Sequence, residues 1–194
     1  MSSTSHAAGA RIVAERLTYA LPDGRTLFKD LTISFGRERT GLVGANGTGK
    51  TTLLRLLTGE QRPSSGIVHR EGVVAVLPQD FRPAPDAPLG VVLGIAERLA
   101  ALQRLDAGEG SIEDFELVGD DWDLPHRARA ELARFGLSRL ELHRPVGAIS
   151  GGEATRVALA GLALTRPDFL LLDEPTNHLD AASREALHAF VDEW

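Results

Sequence analysis

Apolar and polar residues alternate in two stretches near the start of the chain. Ile12, Val13, Leu17 and Tyr19 mark one strand over Arg11–Tyr19, and Leu31, Ile33 and Phe35 mark another. Between them Pro22-Asp23-Gly24 reads as a turn, and Thr26–Phe28 returns from it. After a turn at Gly36–Glu38, apolar Leu42 and Val43 suit the end of a buried strand that leads into a glycine-rich loop. Thr52, Leu53, Leu54, Leu56 and Leu57 then suit the first turns of a helix. Pro63-Ser64-Ser65-Gly66 is a turn, and Ile67–His69 and Val73–Leu77 read as strands.

The pattern changes after three prolines within Phe81–Pro88. Val92, Ile95, Ala96, Leu99 and Leu102 have helical spacing over Val91–Arg104. A stretch with eight carboxylates follows, from Asp106 to Asp123, with no basic residue among them. It is expected to form a solvated loop and helix face, a magnesium-collecting patch being the alternative. Helical spacing resumes over Pro125–Phe135 and stops at Gly136, and a third helix runs from Ser150 to about Leu164. Phe169–Leu172 is wholly apolar, as expected of a strand covered on both faces. Ala181–Val191 closes the chain as an amphipathic helix. No internal repeat is seen.

Composition narrows the class. The chain has 194 residues, room for one domain with an inserted subdomain. It has no cysteine, hence no disulfide and no thiolate metal site, which fits a cytoplasmic protein. The longest apolar runs, Leu89–Ala96 and Val157–Leu164, fall well short of the roughly 18 residues a membrane span needs. Residues 1–10 are expected to be a loose tail, not a signal peptide. A net charge of −6 argues against broad electrostatic attraction to nucleic acid.

The glycine-rich loop carries the first candidate chemistry. Gly44-Ala45-Asn46-Gly47-Thr48-Gly49-Lys50-Thr51 satisfies G-x-x-x-x-G-K-[ST], between an apolar run and a helix-forming one. Gly44, Gly47 and Gly49 let successive N–H groups converge on one anion, and the following helix adds the positive end of its dipole, with Thr52 in its first turn. Lys50 would reach the β- and γ-phosphates, and the Thr51 hydroxyl would sit on Mg²⁺. Lys29 and Lys50 are the only lysines in an otherwise arginine-based chain. A compact ammonium on a flexible stem is kept where a planar guanidinium would not serve.

Four later stretches follow this loop, Leu77-Pro78-Gln79-Asp80, Ile149-Ser150-Gly151-Gly152-Glu153, Leu170-Leu171-Leu172-Asp173-Glu174 and Asn177-His178-Leu179-Asp180, and in this order they resemble the ATP-binding cassette family over nearly the whole chain. Gln79, in Leu77-Pro78-Gln79-Asp80, looks like the glutamine of the Q-loop, a magnesium and catalytic position. Ile149-Ser150-Gly151-Gly152-Glu153 resembles the signature LSGGQ, which in the family serves the γ-phosphate bound on a partner domain. Leu170-Leu171-Leu172-Asp173-Glu174 resembles the second nucleotide motif, and Asn177-His178-Leu179-Asp180 stands where the D-loop belongs. Tyr19 is placed like the aromatic that stacks on adenine.

Asp173, at the end of an apolar strand, is suited to hold Mg²⁺, and Glu174 to act as general base, a role worth about 10²–10⁴-fold. Ser150 also reads as a helix N-cap with Glu153 closing a capping box, and both roles are compatible. His178 is expected to be an ordinary loop residue.

The block Asp173–Asp180 and Glu153 at the signature's last position look more narrowly like the ABC-F branch. That branch is soluble, carries two cassettes on one chain and mostly acts on the ribosome. The resemblance implies an α/β fold: a P-loop NTPase core of ABC type (11–80 and 149–194) with an N-terminal antiparallel β portion and an inserted helical subdomain (81–148). It implies ATP and Mg²⁺ as cofactors, a second cassette as partner (in tandem or as a homodimer), the ribosome as a possible target, and no membrane insertion.

Two other functions remain open: the ATPase subunit of a membrane transporter, and a nucleotide-binding module with little turnover. The family's next strand, with its switch histidine, does not occur before Trp194. A truncated first cassette is therefore expected, binding ATP–Mg²⁺ but hydrolysing it near background when alone. The acidic insert does not look like the basic RNA-contacting arm that many ABC-F proteins carry.

Overall fold

A computed structural model describes residues 9–77, 83–177 and 179–194. The chain divides into two compact units. One holds the residues up to Val76 together with Pro167–Asp173, and the other holds Leu77–Arg166 and Glu174–Trp194.

The first unit is built on a three-stranded antiparallel sheet ordered β2-β1-β3, with β1 at Arg11–Ala20, β2 at Thr26–Phe35 and β3 at Ser65–Glu71. The two short alternations on either side of Lys29 form one continuous strand, β2. It stays continuous because bulges absorb the mismatch in register. Arg16 and Asp30 both take positive φ (49° and 54°), and the Arg16 guanidinium donates to the Asp30 carboxylate at 3.1 Å. The turn at Pro22–Gly24 forms, closed by the Leu21 N–H on Arg25 O at 2.8 Å.

Helix α1 (Lys50–Thr58) lays Leu53, Leu56 and Leu57 against Ile12, Ala14, Leu17 and Phe169, forming the core of this unit. Strands β4 (Val74–Leu77) and β5 (Phe169–Leu172) make a separate two-stranded sheet. The Asp168 carboxylate anchors its entrance by accepting from the Val73 N–H at 2.7 Å. Phe169 is buried, but Leu170, Leu171 and Leu172 are only partly covered.

One expected strand is missing. Residues 39–45 form no strand, and Leu42 and Val43 expose 47% and 94% of their surface. Apolar side chains can line a buried strand only if neighbouring strands satisfy its N–H and C=O groups. Among the described residues β4 and β5 pair with each other, and the three-stranded sheet is complete without this segment.

The second unit is helical, with α2 (Leu89–Val92), α3 (Ala96–Asp106), α4 (Ile112–Val118), α5 (Leu124–Arg134), α6 (Gly151–Thr165) and α7 (Ala181–Glu193). The single helix expected over Val91–Arg104 is two, because Gly94 takes φ +70° and breaks the ladder between α2 and α3. The small residues Ala154, Ala158, Ala160 and Ala163 of α6 are buried and let its neighbours come close. Helices α2, α5 and α7 all pack against it. The acidic stretch forms an ordered helix, α4, whose Ser111–Asp114 capping box closes its N-terminus. Asp114 also takes the Arg104 guanidinium of α3, with Nε at 3.0 Å, and Arg98 donates to Asp121 at 2.8 Å. No helix among the described residues is long and apolar enough to cross a membrane.

Candidate functional site

In the first unit the loop at residues 44–48 is exposed and leads directly into α1. Gly47 and Gly49 take φ +81° and +100°. Gly49 is the N-cap of α1 and supplies no side-chain bond. A Cβ there would stand 2.9 Å from Cζ of Phe28, so glycine is required by both conformation and space. The first bond of the helix ladder runs from the Leu53 N–H to Gly49 O at 2.8 Å. The N–H groups of Thr51 and Thr52 precede it and open at the helix N-terminus.

The Lys50 ammonium folds back over the loop, donating to Gly44 O at 2.9 Å and Ala45 O at 3.2 Å. Thr48 Oγ1 donates to Ala45 O at 2.8 Å, which tightens the same turn. The first-turn N–H groups of α1, its helix dipole and the Lys50 ammonium are groups suited to an anion of several charges.

Asp173 directly follows β5, in the same unit as α1, and is 7% exposed. Its carboxylate and the Thr51 hydroxyl are hard oxygen donors of the kind Mg²⁺ takes. No group of three or more metal-ligating side chains exists among the described residues.

Tyr19 is placed differently from the expectation. It is a core residue, 8% exposed, and its hydroxyl accepts from Gln61 Nε2. A ring covered in this way has no open face for a base to stack on. Gln79 and His178 lie outside the described residues.

In the second unit Ser150 and Glu153 form a complete capping box at the start of α6. The Glu153 N–H donates to Ser150 Oγ at 3.2 Å, and the Ser150 N–H donates to Glu153 Oε2 at 2.9 Å. The Arg139 guanidinium reaches the other carboxylate oxygen of Glu153. The Ser150 N–H, aided by Arg139 and Arg156, holds the Glu153 carboxyl below its usual range. Glu153 is therefore committed to the helix start, while the Ser150 hydroxyl proton and the N–H groups of Gly151 and Gly152 precede the first ladder bond, Ala154 N–H to Ser150 O.

Asp180 is the N-cap of α7 and accepts from the Ser183 N–H at 2.7 Å. Ser183 is fully buried, and its hydroxyl donates to Gly152 O at 3.0 Å, tying the start of α6 to the start of α7. A side chain at Gly152 would strike Asp180 and come within 3.0 Å of Ser183 Oγ. Hydrogen bonds from Ser183 lower the Asp180 carboxyl below its ordinary value. Glu174 takes φ +45°, and its Oε2 accepts from Asn177 Nδ2 at 2.6 Å. A non-glycine residue held there stores strain at the strand end.

Two supporting residues, Ser183 and Arg139, escape the sequence reading, and Asn177 enters it only as part of the D-loop stretch. Ser183 was within reach, because Asp-x-x-Ser at the start of an apolar-periodic run is a cap signal. Asn177 is a turn residue three places after Glu174. Arg139 gave no signal, since its partner lies fourteen residues away on another element.

The chain is similar to known proteins over most of its length. Residues 29–177 match the family model described as ABC transporter. The chain is 36% identical over 196 residues to ABC transporter F family member 5 of Arabidopsis thaliana, covering 87% of this chain and 28% of that protein. It is 38% identical over 174 residues to the tylosin resistance ATP-binding protein TlrC of Streptomyces fradiae, covering 77% and 31%. It is 31% identical over 201 residues to the energy-dependent translational throttle protein EttA of Escherichia coli K12, covering 92% and 36%. The chain thus spans about a third of the length of these relatives. Among solved structures, an ATP-binding subunit of an ABC transporter superposes with a TM-score of 0.68 at 23% identity, covering 94% of this chain and 73% of that one. This likeness shows the fold: the α/β architecture of ABC ATPase domains.

Proposed function

Because the chain belongs to the ATP-binding cassette family, we propose that it is the nucleotide-binding part of a first cassette in an ABC-F type ATPase. ATP binds through the N–H groups of residues 44–52, with Lys50 leaving the carbonyls of Gly44 and Ala45 for the β- and γ-phosphates. Thr51 and Asp173 hold Mg²⁺, Gln79 completes the metal shell, and Glu174 orients the attacking water. Ser150, Gly151 and Gly152 face the nucleotide of a second cassette, Glu153 sets the angle of the Ser150 hydroxyl, and Asp180 completes that contact. Adenine stacking by Tyr19 requires its ring to leave the core. The whole protein uses ATP-driven closure of paired cassettes on the ribosome, in translation or in antibiotic resistance, and works in the cytoplasm.

The observation that carries this reading is the exposed αL–glycine loop opening onto an uncapped helix, with Lys50 folded over it. Calorimetric titration with ATP and Mg²⁺ tests it. Saturable binding that needs the metal supports it, and an absence of binding refutes it. The chain alone is expected to release phosphate near background, because the second signature is supplied by another cassette. A turnover near about 1 s⁻¹ would contradict the paired-cassette mechanism.

A further inference from the structure

One surface of the helical unit combines exposed rings with unbalanced charge. On α4 and the turn after it, Ile112, Phe115 and Trp122 expose 75%, 54% and 50% of their surface. The Phe115 and Trp122 rings lie tilted with centroids 5.7 Å apart, so they form a small preassembled apolar platform. Folding of α4 does not need them: its buried positions are Asp114 and Val118. Paired aromatic rings left in water are uncommon on a surface with no task.

The charge around the platform has one sign. No basic residue occurs between Arg104 and His126, whereas eight carboxylates do. Arg98, Arg104 and Arg127 neutralise three of them, Asp121, Asp114 and Asp123. Asp106, Glu109, Glu113, Glu116 and Asp120 form no ion pair among the described residues and stand exposed, and all but Asp106 lie within six residues of Phe115 in the chain. Arg98, Arg104 and Arg127 are thus already engaged with Asp114, Asp121 and Asp123, and the remaining negative charge of this stretch is exposed.

We propose that this face docks a cationic amphipathic protein segment, whose apolar side chains seat on Phe115 and Trp122 and whose Lys or Arg side chains meet Glu109, Glu113, Glu116 and Asp120. Charge complementarity selects this occupant. A second copy docked face to face would set carboxylates against carboxylates, and RNA would bring phosphates to the same charges. Aromatic anchors inside a charged rim are also where interface energy concentrates. The proposal stands apart from the nucleotide reading and does not need it.

The test uses the full chain and an amphipathic Leu/Lys helical peptide roughly five turns long, titrated by calorimetry. Saturable one-to-one binding is expected, and it should weaken about tenfold or more in Phe115→Ala and Trp122→Ala. A comparable loss is expected in the double variant Glu113→Lys with Glu116→Lys, and on raising the salt. The double variant Glu38→Lys with Glu185→Lys makes the same change in net charge elsewhere and should leave affinity within about twofold. Because the substituted residues are exposed, circular dichroism should show unchanged melting for all of them. Equal weakening by both double variants would reduce the effect to net charge and overturn the proposal. So would tighter binding of a single-stranded RNA than of the peptide, concentration-dependent dimerisation through this face, or no peptide binding.

Discussion

The starts of α1 and α6 are both glycine-rich helix N-termini, yet they use their free N–H groups in opposite ways. At α1 the N-cap is Gly49, which has no side chain to offer the first-turn donors. At α6 the N-cap is Ser150, and Glu153 and Arg139 complete a network that consumes two N–H donors, those of Ser150 and Glu153, and sets a carboxylate against the dipole. The first terminus keeps the positive end of its dipole without a side-chain cap, as the proposed phosphate site requires. The second is partly satisfied from within and offers only a hydroxyl proton and two glycine N–H groups. It can supplement a phosphate site but is poorly made to create one. A difference of two residues, glycine against serine at the cap and threonine against glutamate three places later (Thr52 against Glu153), separates the two termini, and in the function proposed above it divides binding from assisting.

The sharpest break in this comparison comes from Lys50→Ala. Losing charge-assisted bonds to phosphate should weaken ATP–Mg²⁺ binding roughly 10- to 100-fold, whereas Ser150→Ala should leave it unchanged in this chain. Equal losses measured by calorimetry would place the two termini in one role.

Next in size is Gly49→Ala. It forces a side chain into φ +100° against Phe28, and urea denaturation should show a loss of about 1–2 kcal/mol. Ser150→Ala removes a cap and should cost about 1 kcal/mol, largely recovered in Ser150→Asp.

The smallest effect is on pH dependence. The Arg104 guanidinium and the Ser111 N–H hold the Asp114 carboxyl at about 2 instead of 3.8. The pKa is lowered in the folded state, so the unfolded chain binds the proton more readily. The resulting stability is present above pH 3.8 and is lost as pH falls from there towards about 2. Glu153 and Asp180 are lowered too and act in the same direction on the acid side of neutrality. Melting temperatures followed down this range should fall less steeply in Asp114→Asn.

What could be read from the residues alone is what short-range chemistry decides. The phosphate loop, the helix after it, the Ser150–Glu153 box and the β5 strand depend on residues within a few positions of one another, and all are where the pattern put them. The division of Val91–Arg104 into two helices was less legible, because Gly94 is tolerated in either reading until its φ is known.

Tertiary structure alone decided the rest. Val43 is apolar, but burial needs a strand on each side, and that is a property of distant segments. Tyr19 has an aromatic ring, but whether the ring faces a ligand or the core depends on how β1 packs on α1. The acidic stretch is charged, but which of its carboxylates are neutralised depends on arginines that two other helices bring to it. Local sequence specifies a residue's donors, acceptors and backbone freedom; its partners come from folding.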